Sequence, residues 1–465
     1  MFSTWERMLA ASLRDHGADQ AQASQLATLI VASVEGTVAM CRARRDIRPL
    51  DDVTAQLEAL VQHAIGGQAG APASGPAHFG RRRGVRGRAV PRAWRADPDL
   101  PHAAGPMGRR GLRPVRRGAR RRAPWAPDVN APHASGVSPY PINSRAGRRV
   151  TVNDGYLEPA RSLPGLTVRG QALVDRVVFS GDRAVGVQVI VDGRATTEYA
   201  DEIVLSAGVI HSPAILMRSG VGPADHLRRL GITVRQDLPV GLGMQDHPMV
   251  VVELPLTADA AIKTADDRHT NVCVRFTSGP DGLPHDMMFV SLNQNVLSME
   301  AADTRFPAGG FGVWLNQNHS RGVLTLTSAD PQAQPEVRER MLSDARDLER
   351  LRQGVRALAE MARGPEVAPI VEGSVETRNS RLFAVLDDDA ELDDHLLATA
   401  VDAQHGTSTC RMGAPGDAST VVDPSCRILG VDGLRVVDAS IFPSVPLANT
   451  NLATIMVGEL MADRL

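Results

Sequence analysis

The fold of the larger part of this chain is decided by residues 200–220, ADEIVLSAGVIHSPAILMRSG. The apolar run Ile203 to Leu205 predicts a buried strand, and the small residues Ser206 to Gly208 predict a turn that leads directly into a helix. A strand that enters a helix through small residues is typical of doubly wound α/β folds, in which ligands bind at the carboxyl ends of parallel strands. The segment therefore predicts a parallel sheet with a ligand site at this turn.

A second segment near the carboxyl terminus has the same character. The sequence VDGLRVVDAS predicts a strand from Leu434 to Val437 that ends at Asp438 and Ala439. Upstream, the short β-branched runs at 166–169, 177–179 and 185–187 predict further strands and hairpins. An amphipathic helix is predicted over 344–363.

A histidine and two asparagines flank this second strand. His405 opens the small-residue segment HGTSTCRMG, and Asn449 and Asn451 lead into a helix predicted to begin near Thr454. A histidine and an asparagine at adjacent strand and helix ends suit removal of a proton from a hydroxyl group, with Asn449 holding the oxygen. A structural histidine and asparagines that cap the helix are the alternative interpretation.

The first 66 residues differ in character from the rest of the chain. Apolar residues recur at helical spacing in two runs, which predicts a helical hairpin. The runs are Leu26, Ile30, Val34, Val38 and Cys41, followed by Leu50, Val53, Leu57 and Leu60.

Residues 67–123 are rich in arginine, glycine and proline and contain few large aliphatic residues, which predicts disorder. An arm that binds phosphate backbones and a simple linker are two interpretations. We favour a third, the translation of GC-rich DNA in an unintended frame, because the segments on either side look like parts of unrelated proteins. Binding to nucleic acid is therefore not expected.

Composition excludes several classes of protein. The formal net charge of −2 argues against a polycation, and the four scattered cysteines predict neither a disulfide framework nor a metal site. The charged start of the chain does not resemble a signal peptide, and no apolar stretch approaches the ~20 residues of a membrane-spanning helix. We therefore expect a cytoplasmic protein without a membrane partner.

Four ordered motifs in the last 340 or so residues resemble the glucose-methanol-choline (GMC) family of FAD-dependent oxidoreductases. They are SPYPINSRAGRRVTVNDGYLEPAR; SAGVIHSPAILMRSGVGP with LPVGLGMQDHP; HGTSTCRMG; and the segment from VVDPSCRILG to the carboxyl terminus. Agreement across all four is far more specific than any single motif. The resemblance implies an α/β fold in which a doubly wound FAD-binding domain adjoins an α+β substrate-binding sheet.

The resemblance also implies roles for individual residues. His405 and Asn449 occupy the two catalytic positions of the family, and His405 would act as the base while hydride passes to flavin N5. Asp438, Ala439, Asn451 and Val174 fall on positions that contact FAD. The implied substrate is a small-molecule alcohol.

The chain departs from the family at one motif. We find no buried strand followed by a GxGxxG turn and a helix, the unit that holds the FAD pyrophosphate, so the FAD-binding domain is incomplete in this sequence. We therefore expect weakened FAD binding and impaired activity. The predicted domains are the helical segment (1–66), the disordered segment (67–123), the partial FAD-binding domain (124–246), the substrate-binding domain (247–400) and the carboxyl-terminal catalytic and FAD-binding segment (401–465).

The sequence of residues 1–66 resembles the last two helices of TetR-type transcriptional repressors, which dimerise as a four-helix bundle. The resemblance predicts a homodimer through this segment, without the helix-turn-helix that would read DNA. The alternative to an impaired alcohol oxidoreductase is therefore a non-catalytic fusion remnant with a repressor-like dimerisation module.

Overall fold

The structure, a computed structural model of the full chain, divides into two compact units, residues 1–88 and 89–465. It describes residues 10, 13–14, 18–25, 27, 124–131, 134–145, 147–262, 267–279, 282–293 and 308–465. In the first unit, residues 20–25 are helical, and Asp19 Oδ1 accepts hydrogen bonds from the main-chain nitrogens of Ala21 and Gln22. The two predicted apolar stripes and the predicted disordered segment lie outside the described residues.

The described residues of the second unit contain sixteen strands and seven labelled helices. The strands are β1 (Gly136–Pro139), β2 (Ser144–Arg145), β3 (Arg148–Arg149), β4 (Leu173–Ser180), β5 (Arg183–Val191), β6 (Arg194–Tyr199), β7 (Ile203–Leu205), β8 (Leu242–Met244), β9 (Pro248–Pro255), β10 (Thr270–Phe276), β11 (Met287–Leu292), β12 (Ala308–Leu315), β13 (Gly322–Thr325), β14 (Glu336–Arg338), β15 (Val401–Asp402) and β16 (Leu434–Val436). The helices are α1 (Gly208–Arg218), α2 (Ala224–Arg229), α3 (Ala345–Ala362), α4 (Val375–Arg378), α5 (Ser380–Val385), α6 (Asp389–Thr399) and α7 (Thr450–Ala462). Short helical turns lie at Asn153–Leu157, Glu158–Ala160, Ala368–Ile370 and Ala439–Ile441.

The predicted strand, turn and helix at 203–218 are present. Strand β7 pairs in parallel with β16, so that Leu205 lies opposite Val436. Gly208 starts α1 with a φ of +82°, a conformation that glycine adopts without strain. The carboxyl ends of the two parallel strands therefore meet at one edge, next to the N-terminus of α1.

A six-stranded antiparallel sheet forms the second layer, in the order β1-β10-β11-β12-β9-β15. One face carries buried aliphatic side chains, including Val252 and Val313, and packs against α3. A Cβ atom at Gly354 would lie 2.6 Å from Met287 Cε, so the absence of a side chain there lets the helix approach the sheet. The opposite face carries Trp314 and faces the candidate site.

The observed elements differ from the prediction at two places. Residues 166–169 form no strand and are exposed, because no neighbouring strand pairs with them among the residues that the structure describes. Helix α7 begins at Thr450, one turn earlier than predicted, so Asn451 lies inside the helix. The helix predicted over 344–363 is α3, and Asp344 caps it by accepting from Arg346 N. No described helix combines the length and apolarity that crossing a membrane requires.

Candidate active site

Two of the residues singled out from the sequence lie in direct contact. His405 Nε2 is 3.0 Å from Asn449 Nδ2, although the two residues are 44 positions apart. Asn449 precedes α7 but makes no capping hydrogen bond through its side chain. Its amide is instead shared between His405 and Tyr140, whose hydroxyl donates to Asn449 Oδ1 over 2.9 Å.

A second histidine, His247, completes the arrangement. His247 is fully buried, and its Nδ1 lies 2.9 Å from His405 Nδ1. Its Nε2 lies 3.0 Å from the main-chain oxygens of both Asn316 and Pro446. The sequence analysis included this residue in the LPVGLGMQDHP motif but did not identify it as a site residue.

The hydrogen bonds fix the tautomers of both rings. Carbonyl oxygens only accept, so His247 carries its hydrogen on Nε2, and its Nδ1 accepts from His405 Nδ1. His405 Nε2 is then unprotonated and accepts from the amide nitrogen of Asn449, which only donates. The chain of donors therefore runs from Tyr140 through Asn449 and His405 to His247.

The electrostatic environment keeps both rings neutral. Burial, reinforced by the neighbouring His405, lowers the pKa of His247 to about 3. Burial also lowers the pKa of His405 to about 4, against a smaller opposing effect of Asp402. Burial raises the pKa of Tyr140 to about 12, so its hydroxyl remains a donor. His405 is therefore a neutral base at neutral pH, with its lone pair on Nε2.

An apolar wall lies beside His405 on the second face of the six-stranded sheet. The Trp314 ring stands edge-on to the His405 ring, with centroids 6.2 Å apart, and its Nε1 donates to Asn316 Oδ1 over 2.8 Å. The wall is completed by Met249, Cys273, Met288, Val290 and Leu292. All of these side chains are buried, so the wall is packed core that holds Trp314 beside His405.

The second group of predicted residues lies at the parallel strands. The Asp438 carboxylate is buried and accepts from Gly208 N, Ser212 Oγ and Ser440 N, at 2.9, 2.5 and 2.8 Å respectively. Ala439 follows it and accepts from Ser408 N, which lies in the segment that His405 opens. Asp438 therefore fixes the turn before α1, and Ala439 links it to the segment that His405 opens.

The remaining predicted residues occupy separate positions. Asn451 is exposed in the first turn of α7, and its Oδ1 accepts from Asn143 Nδ2 over 3.2 Å. Val174 lies in β4, where it pairs with Val189, and its carbonyl oxygen is 3.5 Å from Arg218 Nη2. No contact joins Val174 to the histidine pair among the residues that the structure describes.

Comparison with known proteins identifies related families. Two models of the GMC oxidoreductase family match residues 114–249 and 318–458. A model of the C-terminal domain of LmrA/YxaF-like transcriptional regulators matches residues 1–56.

Individual relatives agree with these matches. The chain is 34% identical over 363 residues to the mitochondrial choline dehydrogenase of Homo sapiens, covering 73% of this chain and 60% of that protein. It is 35% identical over 350 residues to the 5-(hydroxymethyl)furfural oxidase of Methylovorus sp., covering 72% and 64%. A GMC-type oxidoreductase of Mycobacterium tuberculosis is 32% identical over 410 residues, covering 84% and 72%. The chain thus spans less than two thirds of the length of the first two relatives.

Solved structures show the same fold. Pyridoxine 4-oxidase from Mesorbium loti superposes with a TM-score of 0.69 at 27% identity, over 78% of this chain and 70% of that chain. A formate oxidase superposes with a TM-score of 0.67 at 22% identity over the same shares of the two chains.

Proposed function

The chain belongs to the GMC oxidoreductase family, and on this premise we propose that it oxidises the CH–OH group of a small-molecule alcohol with FAD as cofactor. The observation that carries the proposal is the unprotonated Nε2 of His405, which faces the amide of Asn449. A neutral imidazole beside an amide donor can take a hydroxyl proton while the donor stabilises the oxygen.

The residues present fit one side of an FAD site. A Cβ atom built on Gly208 would have no atom within 4 Å, so the turn at the strand ends faces open space. The main chain of Asp438 and Ala439 would contact the ribityl-pyrophosphate part of the cofactor. Asn451 would lie beside the isoalloxazine ring, and the main chain of Val174 would contact the adenine. Because the sequence contains no glycine-rich pyrophosphate turn, we expect these contacts to bind FAD only weakly.

The histidine pair determines what the chain does to the substrate. His405 Nε2 accepts the hydroxyl proton, and the resulting imidazolium keeps donating Nδ1–H to His247. Asn449 holds the substrate oxygen through its amide hydrogen. FAD, when bound, supplies the acceptor for the hydride that leaves the carbon, and the product is the aldehyde or ketone.

The names of the relatives support this choice of substrate class. One relative is named for choline and another for 5-(hydroxymethyl)furfural, and each of these compounds carries a hydroxyl group.

The proposal is tested by titrating the full chain with FAD while the absorption and fluorescence of the flavin are recorded. We expect weak but saturable binding, followed by bleaching of the visible band when an alcohol is added without oxygen. His405→Ala should bind FAD equally and bleach about 10²- to 10⁴-fold more slowly. A chain that takes up no FAD at any concentration would refute the proposal and favour a non-catalytic fusion remnant.

A second proposal concerns residues 1–66. We propose that they dimerise the chain, because residues 1–56 match the C-terminal domain of a transcriptional regulator. Light scattering on the full chain and on a variant without residues 1–66 should give a dimer and a monomer. If the full chain and the shortened variant contained the same number of subunits, this proposal would be wrong.

A further inference from the structure

Three carboxyl groups lie together behind the histidine pair. One oxygen atom from each of Asp246, Glu339 and Asp402 lies within 4.8 Å of the other two. Asp246 is 3% exposed, and the other two are half-buried. We refer to these residues as the carboxyl trio.

The carboxyl trio has no cationic partner among the described residues. Glu339 directly follows β14, where Arg338 is paired with Glu336 over 2.7 Å and Arg340 is exposed. The histidine rings next to the trio are neutral. Three negative charges at this separation would repel one another strongly in a partly buried site, so one of the carboxyl groups must hold a proton or the site must loosen.

Two members of the carboxyl trio, Asp246 and Asp402, also hold the loop that carries His405. Asp246 Oδ1 accepts from His247 N over 2.6 Å and from Ala403 N over 3.2 Å, and the main chain of His405 adds a third contact. Asp402 Oδ2 accepts from Gln404 N over 3.1 Å. The hydrogen bonds of Asp246 therefore connect both histidines to the charge of the trio.

We propose that Glu339 is a positioning residue: the trio holds one proton in common, and without it the charge of Glu339 would repel Asp246 and Asp402 and displace residues 402–405, and so His405, from the observed position. The effect of the His405 position on catalysis rests on the proposed function. The shared proton does not depend on that function. Carboxyl groups that cannot all ionise together commonly share a proton in this way.

The electrostatics agree with this geometry. Burial, reinforced by Asp402 and Asp246, raises the pKa of Glu339 to about 7. Burial also raises the pKa of Asp246 to about 6, although the main-chain hydrogen bonds oppose the shift. The trio therefore holds its proton below about pH 7 and loses it above that value.

The loss of this proton has a defined effect on stability. A pKa that is higher in the folded chain than in the unfolded chain stabilises the fold at low pH, and this stabilisation disappears as the pH rises through the folded value. The native trio therefore destabilises the fold at about pH 8 more than at about pH 5. A neutral side chain at position 339 removes part of that cost.

The experiment compares urea unfolding of the full chain at these two pH values for wild type, Glu339→Gln and Glu336→Gln. Glu339→Gln should raise the unfolding midpoint relative to wild type by more at the higher pH. Glu336 lies exposed in β14, so Glu336→Gln should shift the midpoint by the same amount at both pH values. An equal shift for Glu339→Gln at both pH values would refute the shared proton.

Excess calcium or manganese chloride at the higher pH tests the other way of neutralising the trio. An increase in the wild-type midpoint that Glu339→Gln lacks would show that the site takes a cation instead, and would overturn the proposal. An equal change of the unfolding midpoint in wild type and Glu339→Gln would support the proposal.

The positioning role is read from the histidine ring signals in NMR spectra of the purified chain. The His405 signal, identified by its loss in His405→Gln, should move or broaden as the trio ionises in wild type and stay constant in Glu339→Gln. A wild-type signal that stays constant over that range would refute the positioning role. Because neither readout needs turnover, failure of the proposed function would leave both results interpretable.

Discussion

His247 and His405 share a hydrogen bond between their Nδ1 atoms, 2.9 Å apart, and the two carbonyl oxygens at His247 Nε2 decide its direction. His247 can only accept from His405, so the lone pair of His405 lies on Nε2, where it accepts from the Asn449 amide. A fully buried residue thus sets the tautomer of His405.

The first prediction concerns the base itself. His405→Ala removes the proton acceptor and should lower kcat by about 10²- to 10⁴-fold in the FAD-loaded chain. The affinity for FAD, measured by fluorescence titration, should be unchanged. His395→Ala, in α6, is the control and should leave both quantities unchanged. Equal loss of FAD binding and turnover in His405→Ala would show a structural role.

The second prediction separates the positioning histidine from the base. His247→Phe keeps a buried ring but removes the acceptor at Nδ1, so the His405 tautomer is no longer fixed. We expect kcat to fall by about tenfold or more, because the protonated His405 ring loses the free energy of one charge-assisted hydrogen bond. FAD binding should be retained. Steady-state kinetics on the loaded chain measures this. An unchanged kcat would show that another group fixes the tautomer.

The third prediction concerns Asn449. Asn449→Asp places a carboxylate against His405 Nε2, which favours a protonated ring and leaves no lone pair for the substrate. The acid limb of the pH profile of kcat/KM should therefore move to higher pH. Asn449→His keeps a donor at this position and should retain more activity than Asn449→Asp. If the two variants lost the same activity with unshifted profiles, the side chain would act only as a spacer.

The sequence was sufficient to locate the main elements of this site. The small-residue turn at Ser206 to Gly208 and the strand that ends before Asp438 have short-range signals, because turn geometry and strand period are local properties. These signals correctly predicted the parallel strands and the turn before α1. His405 and Asn449 were predicted together from their motifs, and the structure places them 3.0 Å apart.

The rest of the site depends on long-range packing. His247 lies 158 residues from His405 in the sequence, and Tyr140 lies 309 residues from Asn449. The pairing of β9 with β15 brings the two histidines together, and the packing of the segment before α7 brings Asn449 to Tyr140. Neither periodicity nor composition reports such long-range contacts. Glu339 likewise follows a short strand with no motif around it. The one available signal was the DHP sequence that contains His247.

The fourth prediction concerns the effect of pH on stability. The pKa of His405 is about 4 in the folded chain, below the usual value of 6.5. The unfolded chain therefore takes up this proton first as the pH falls, and stability present above about pH 6.5 is lost on the way to pH 4. When the pH falls from about 7 to about 5, the free energy of unfolding of His405→Gln, measured with urea, should decrease by about 1 to 2 kcal/mol less than that of wild type. His211→Gln, at an exposed site, should follow wild type, and identical losses in all three proteins would contradict the neutral ring.

The last prediction tests the support of the six-stranded sheet. Arg350 in α3 bridges two fully buried carboxylates, Asp286 at 2.9 Å and Asp347 at 2.6 Å. Arg350→Met would leave both buried charges without a cation, which should cost about 3 to 5 kcal/mol of unfolding free energy. The matched control, Arg346→Met, removes an exposed arginine paired with Asp344 on the same helix and should cost less than about 1 kcal/mol. A similar loss of unfolding free energy in the two variants would mean that Ser278, Ser320 and the main-chain donors alone satisfy the buried carboxylates. Arg350 would then not be needed to hold α3 against the sheet.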